Sequence, residues 1–176
     1  VRKLKVTEMG RMNIEEFKAS EKIPLIVVLD DVRSMYNVGS IFRTSDAFRT
    51  ESIWLCGITA RPPHPEIHKT ALGAEDSMEW RYFTTTQEAI EALKRAGYII
   101  YSIEQCEGST MLQDIHIDNT QKYAIILGNE VKGVKQEIVD MCDGCIEIPQ
   151  FGTKHSLNVA STAGIVIWEF AKQMIV

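Results

Sequence analysis

The sequence predicts a single α/β domain built on a parallel sheet covered by helices. Two observations carry that prediction. From residue 24 onward, short β-branched runs alternate with segments of helical pattern, the order expected when strands and crossover helices succeed one another. The chain has 176 residues, 45% hydrophobic and 24% charged, enough for a sizeable core and too few for a second catalytic domain.

The elements follow in order. Residues 1–22 carry six Lys/Arg against four Asp/Glu, net +2, which leaves 13 Lys/Arg against 20 Asp/Glu in the remainder, net −7. This stretch reads as an N-terminal extension, and two readings stand: Arg2, Lys3, Lys5 and Arg11 form a small arm for phosphates, or the terminus is solvated and partly disordered. Candidate strands are Leu25–Leu29, Ile53–Leu55, Arg81–Phe83, Tyr98–Ser102, Tyr123–Leu127 and Ile146–Ile148. The stretch Arg61-Pro62-Pro63-His64-Pro65 reads as a loop leading to a turn at Gly73-Ala74, because proline lacks an N–H and restricts its predecessor. Thr85 and Glu88 form a capping box for a helix running to about Ala96, stopped by Gly97. A last helix is expected over Leu157–Phe170. Leu157, Ala160, Ser161, Gly164, Ile165 and Trp168 line one side of it, and Val159, Ala163, Val166 and Phe170 another. A helix apolar nearly all round needs cover on most sides, from its own domain or from a second subunit.

Composition excludes several classes. The apolar runs Ile23 to Leu29 and Ala163 to Trp168 fall short of the roughly 20 residues that span a bilayer, and no signal-peptide pattern is visible, so a cytoplasmic protein without a membrane partner is expected. Cys56, Cys106, Cys142 and Cys145 form no disulfide framework; Cys142 and Cys145 make a C-x-x-C without a second pair nearby, so no metal is expected. A net charge of −5 argues against broad non-specific nucleic-acid binding. The loop after the first strand, Asp30 to Gly39, has one glycine and no G-x-G-x-x-G. Gly128 to Lys135 lacks the Gly-Lys-Ser/Thr of a phosphate-cradling loop, so neither nucleotide crevice is supported.

Asn37-Val38-Gly39-Ser40-Ile41-Phe42-Arg43 reads as a helix start with Asn37 in the capping position. Val38, Ile41, Phe42, Ser45 and Phe48 share the buried face, and Gly39 and Arg43 fall on or near the opposite side. There the Arg43 guanidinium would hang over the side-chain-free patch at Gly39, suited to a phosphate or a developing alkoxide. A surface pair with Asp46 is the other reading.

Three further segments complete a pattern: Ile126-Leu127-Gly128-Asn129-Glu130-Val131-Lys132-Gly133, Ile148-Pro149-Gln150-Phe151-Gly152 and Ser156-Leu157-Asn158-Val159-Ala160. With Asn37-x-Gly39-x-x-x-Arg43 they resemble, in order and spacing, the signature motifs of the SpoU (TrmH-like) RNA 2′-O-ribose methyltransferases, a branch of the SPOUT superfamily. The resemblance covers roughly residues 24–172, so residues 23–176 are expected to form the methyltransferase domain. It implies a three-layer α/β knot, in which the chain after about Tyr123 passes through a loop and the C-terminal helix locks a deep trefoil. It implies S-adenosylmethionine as cofactor, held by Leu127, Gly128, Ile148 and Leu157, with Ser102 as a further contact. The absence of a Cβ at Gly128 would let backbone approach the adenosyl moiety. It implies that Arg43 activates the ribose hydroxyl, Asn37 orients ribose or cofactor, and Glu130, Ser156 and Asn158 hold loops and substrate; for these three, a purely loop-capping hydrogen bond is the alternative. The implied partners are tRNA or rRNA, and a second copy of the chain through the C-terminal helix. Ala160 stands where many members have serine, and is read as packing. Two other functions are weighed: a non-catalytic knotted RNA-binding module, against which the presence of Asn37, Arg43 and Glu130 speaks, and a base methyltransferase on the same scaffold.

Overall fold

A computed structural model describes residues 1–175. Seven strands, β1 (Ile23–Asp30), β2 (Thr50–Cys56), β3 (Trp80–Phe83), β4 (Ile99–Ile103), β5 (Thr110–Met111), β6 (Tyr123–Leu127) and β7 (Gly144–Glu147), form one sheet. Their order is β3-β2-β1-β6-β4-β7-β5, and every pairing is parallel. β1 and β6 are central and buried on both faces, which is why each reads as an unbroken apolar run. Their register sets Leu25 beside Tyr123 and Leu29 beside Leu127.

Alternation along the strands divides the core in two. Leu25, Val27, Leu29, Ile125 and Leu127 face a cluster that includes Val38, Ile41 and Phe42 of α2 (Met35–Ala47) and Val166 and Phe170 of α7 (Val159–Ile175). Ile26, Val28, Ala124 and Ile126 face Ala89, Ile90 and Leu93 of α5 (Thr86–Arg95) and Ile138 of α6 (Gln136–Met141). The result is three layers, helices on both faces of a parallel sheet. Among the described residues no helix is long and apolar enough to cross a membrane.

Within residues 1–22, α1 (Ile14–Ala19) is capped by Asn13 and Glu16 in a reciprocal box, and Phe17 is buried in the first core cluster. The proline stretch is only partly a loop, since Pro65 opens α3 (Pro65–Ala71) at a position where its missing N–H has no partner to lose. A short turn of helix, α4 (Ala74–Ser77), follows Gly73. Neither helix was expected. α5 begins at its Thr85 cap as predicted and ends at Arg95. α7 starts at Val159 rather than Leu157, because Asn158 Oδ1 accepts from the Ala160 and Ser161 N–H groups and closes the helix there.

α2 corrects two expectations. It starts at Met35, with the Ser34 hydroxyl accepting from Asn37 N–H, so Asn37 sits in the first turn and is not the cap. Gly39 is not on a bare outer patch but buried, because α3 packs over it. A Cβ there would lie 2.1 Å from Thr70 Oγ1 and 2.3 Å from the Ile67 carbonyl oxygen. The two helices touch through the missing side chain, and periodicity within α2 could not show this because the covering helix lies 30 residues downstream. Gly164 in α7 provides the contrast: a Cβ there meets nothing within 4 Å. Gly39→Ala is therefore expected to lose about 1–3 kcal/mol of stability by overpacking, whereas Gly164→Ala should be neutral or gain up to about 1 kcal/mol from helix propensity. Urea unfolding of the two variants checks this; equal midpoints would contradict it.

Candidate active site

In a parallel sheet the loops leaving the C-terminal strand ends are the natural place for a ligand. Here a cleft of about 490 Å³ opens among the loops after β4, β6 and β7 and the start of α7. Its lining includes Leu127, Gly128 and Glu130 from the second motif, Ile148 from the third, and Ser156, Leu157 and Asn158 from the last. Seven of the ten residues singled out in sequence thus meet around one space. Ile103, Leu127, Ile148, Leu157 and Val159 give it an apolar floor, and Glu104, Gln105, Asn129 and Gln150 give it a polar rim.

Asn37 adjoins it through one bond: Asn158 Nδ2 donates to Asn37 Oδ1 at 3.2 Å. Asn158 therefore does two things at once, capping α7 with its oxygen and reaching α2 with its nitrogen. Arg43 does not line the cleft. It lies six residues beyond Asn37, about 9 Å along the helix, on a solvent-facing stripe with Tyr36 and Ala47. Among the described residues it has no ion pair, and Asp46 accepts from the Ser77 hydroxyl instead. The surface pair with Asp46 is thus absent, and the guanidinium is free to meet a ligand from outside. Ser102 is fully buried in β4, its hydroxyl donating to the Gly144 carbonyl at 3.5 Å, and it does not reach the cleft.

The loop after β6 is held by bonds that cross the sheet. Glu130 accepts from Arg33 N–H at 2.8 Å and from Ser34 N–H at 2.9 Å, so its carboxylate secures the entrance to α2. Asn129 Nδ2 donates to the Asp31 carbonyl at 2.8 Å, and its Oδ1 accepts from the Val131 and Lys132 N–H groups. Gly128 is required by the chain itself. A Cβ there would lie 2.2 Å from the Gly133 carbonyl carbon and 2.3 Å from Val134 N, so the loop's own return strand fills the space.

Three residues that hold the cleft were not found in sequence. Glu104 accepts from Val134 N–H at 3.1 Å, and Gln105 Nε2 donates to the His155 carbonyl at 2.7 Å, so two adjacent residues fasten two walls. Asp31, left-handed at φ 53°, accepts from Ile58 N–H at 2.9 Å and from Lys135 Nζ at 2.7 Å. Nothing in the sequence marks any of them, because their partners are 27 to 104 residues away. Burial opposes ionisation of Asp31, but Lys135 and the Ile58 N–H offset it and hold the carboxyl below the usual range. Burial pushes its neighbour Asp30 the other way, despite the hydroxyl of Thr86. No cluster of three or more His, Cys, Asp or Glu suited to a metal occurs among the described residues.

Known proteins resemble this chain in sequence and in fold. The sequence model described as the SpoU rRNA Methylase family matches residues 24–168. The chain is 32% identical over 163 residues to a protein of Borreliella burgdorferi named an uncharacterized tRNA/rRNA methyltransferase, across 92% of this chain and 69% of that protein. It is 29% identical over 167 residues to the tRNA (guanosine(18)-2′-O)-methyltransferase of Thermus thermophilus, across 95% of this chain and 84% of the relative. The AdoMet-bound rRNA methyltransferase from Sinorhizobium meliloti superposes with a TM-score of 0.79 at 27% identity over 90% of this chain, which spans 60% of that structure.

The Asp31 environment has a pH consequence. A carboxyl lowered in the folded state contributes stability that is full above its unfolded pKa of about 3.9 and is lost as pH falls through the folded value. Asp31→Asn should therefore be less stable than wild type at neutral pH, and the difference should shrink once pH drops below about 4. Urea midpoints measured across that range test it; a difference that stays constant into the acid range would refute it.

Proposed function

The chain belongs to the SpoU rRNA methylase family, and on that premise we propose that it methylates a ribose 2′-hydroxyl of tRNA or rRNA with S-adenosylmethionine. The observation that carries the reading is the Asn158 to Asn37 bond, which ties α2, the helix that carries Arg43, to the cleft built by the other motifs. The cleft fits the cofactor in size and chemistry, since small-molecule sites of about 300–1,000 Å³ combine an apolar lining with a few convergent polar groups. Backbone of Leu127, Gly128, Ile148 and Leu157 would hold it, and when bound it supplies an electrophilic sulfonium methyl.

The chain's own residues do the rest. Asn37 and Asn158 hold the ribose at the cleft edge. Arg43, whose pKa above about 12 disqualifies it as a base, donates to the 2′-oxygen as negative charge grows there. The hydroxyl proton leaves to an adjoining substrate phosphate. Glu130 keeps α2, and with it Asn37 and Arg43, fixed relative to the cleft through the Arg33 and Ser34 N–H groups. Ser156, exposed at the cleft wall, contacts substrate. A cytoplasmic location, where tRNA and rRNA are at hand, belongs to the same reading.

Two further features belong to this reading. The strand order sets β6 between β1 and β4 and β7 between β4 and β5, which supports a chain threaded through a knot and locked by α7. A second copy is the proposed cover for α7: Val159, Ala163, Val166 and Phe170 are buried in the monomer, while Ile165 and Trp168 stay 42% and 51% exposed.

S-adenosylhomocysteine at about 100 times its dissociation constant should add about 2.7 kcal/mol to stability, and NAD should add nothing comparable; thermal shifts reporting the reverse would remove the cofactor assignment. Arg43→Lys and Arg43→Ala should each lose about 100-fold or more in turnover, because a point charge cannot reproduce a planar fork. Their melting temperatures should stay near wild type. The product is read as a protected step in an alkaline hydrolysis ladder, and wild-type turnover by Arg43→Ala would sink the mechanism. Trp168→Glu should dissociate or unfold the dimer, since a buried unpaired carboxylate is costly; sedimentation of the wild type as a micromolar monomer would contradict the pairing.

A further inference from the structure

The four thiols are not used by the chemistry above, and the structure distributes them differently from the C-x-x-C spacing. Cys142 Sγ turns back to the Ile138 carbonyl at 3.2 Å, near the end of α6. Cys145, on β7, faces Cys106 in the loop between β4 and β5, with the two sulfurs 3.0 Å apart. Both strands that flank β7 are connected by that loop, so Cys106 is carried across the β7 backbone to a residue 39 positions away. Neither residue is fully buried, and both are free thiols.

We propose that Cys106 and Cys145 form a reversible disulfide on exposure to a hydroperoxide, and that the oxidised pair loosens the wall of the cleft. The chemistry is a two-electron oxidation. One sulfur attacks the peroxide O–O bond, becomes a sulfenic acid and releases water. The second sulfur then displaces the sulfenic oxygen, which departs as a second water with the remaining thiol proton, and the S–S bond forms. The sulfurs need to close from 3.0 Å to a bond of about 2.05 Å, a movement within reach of a loop residue.

The pair sits at the root of the cleft. Cys145 Sγ donates to the Glu104 carbonyl at 3.2 Å, and oxidation removes that donor. Glu104 and Gln105, immediately before Cys106, fasten Val134 and His155, the anchors of two cleft loops. Drawing Cys106 toward β7 pulls on both. In the reduced protein, burial and the adjoining sulfur push the Cys106 thiol up to about 12, so Cys106 is a weak nucleophile toward peroxide and the pair oxidises slowly. The response is to sustained oxidant, and thiol–disulfide exchange with a reductant reverses it.

The test uses the full chain, hydrogen peroxide and dithiothreitol. Peptide mapping should find a Cys106–Cys145 linkage after peroxide, about 2 Da lighter than the dithiol, absent from Cys106→Ser and Cys145→Ser and removed by dithiothreitol. Amide exchange at Gln105 and Val134 should be faster in the oxidised protein than in the reduced one, with no change for peroxide-treated Cys106→Ser. A linkage between Cys142 and Cys145, only mixed higher oxides, or unchanged amide exchange in the linked protein would each overturn the proposal. The cofactor arm rests on the methyltransferase reading: S-adenosylhomocysteine should bind at least three-fold more weakly to the oxidised form. A reduced protein that binds none would refute that reading alone, since mapping and exchange need no ligand.

Discussion

The candidate site depends on one constraint: the loop after β6 is bonded to the loop after β1. Glu130 and Asn129 reach back 96 to 98 residues to Arg33, Ser34 and Asp31, and that junction sets where α2 stands against the cleft. It is possible because β1 and β6 are adjacent and parallel, with Leu29 paired to Leu127, so their C-terminal ends emerge side by side. The carboxylate accepts from the N–H of the Ser34 cap, a donor that a helix start leaves open, and from that of Arg33 just before it, and so prevents α2 from sliding relative to the cleft. The fold thus turns a register between two buried strands into a fixed distance between motifs.

Several residues serve structure and chemistry together. Asn158 caps α7 and touches Asn37, so weakening the helix start also detaches the two motifs. Gly128 admits the returning backbone of Gly133 and Val134, which forms one wall of the cleft. Arg43, exposed and among the described residues without an ion pair, carries no such structural duty. Substitutions at Asn158 or Gly128 therefore disturb folding together with the cleft, whereas at Arg43 the two separate.

The strands buried on both faces were legible because such strands are written as continuous apolar runs, as in Leu25–Leu29 and Tyr123–Leu127. β5, two residues long, leaves no pattern to read. α3 was hidden by proline, whose exclusion applies to helix interiors and not to the first turn. That omission propagated, since without α3 there was nothing to bury Gly39, and the glycine appeared to lie on an open surface. The two apolar stripes of the last helix were legible from spacing, and the structure buries the one holding Val159, Ala163, Val166 and Phe170.

The sequence by itself determined the α/β class, the family and most of the residues that gather at the cleft, because apolar periodicity and motif order are local properties of the chain. Tertiary structure alone decided that Ser34 caps α2, that Glu104, Gln105 and Asp31 hold the cleft walls, that Ser102 is buried within β4 away from the cleft, and that Cys145 faces Cys106 rather than Cys142. The physical reason is that each long-range bond joins groups dozens of residues apart. Only the order of strands in the sheet brings them within hydrogen-bonding distance, and no spacing along the chain encodes it.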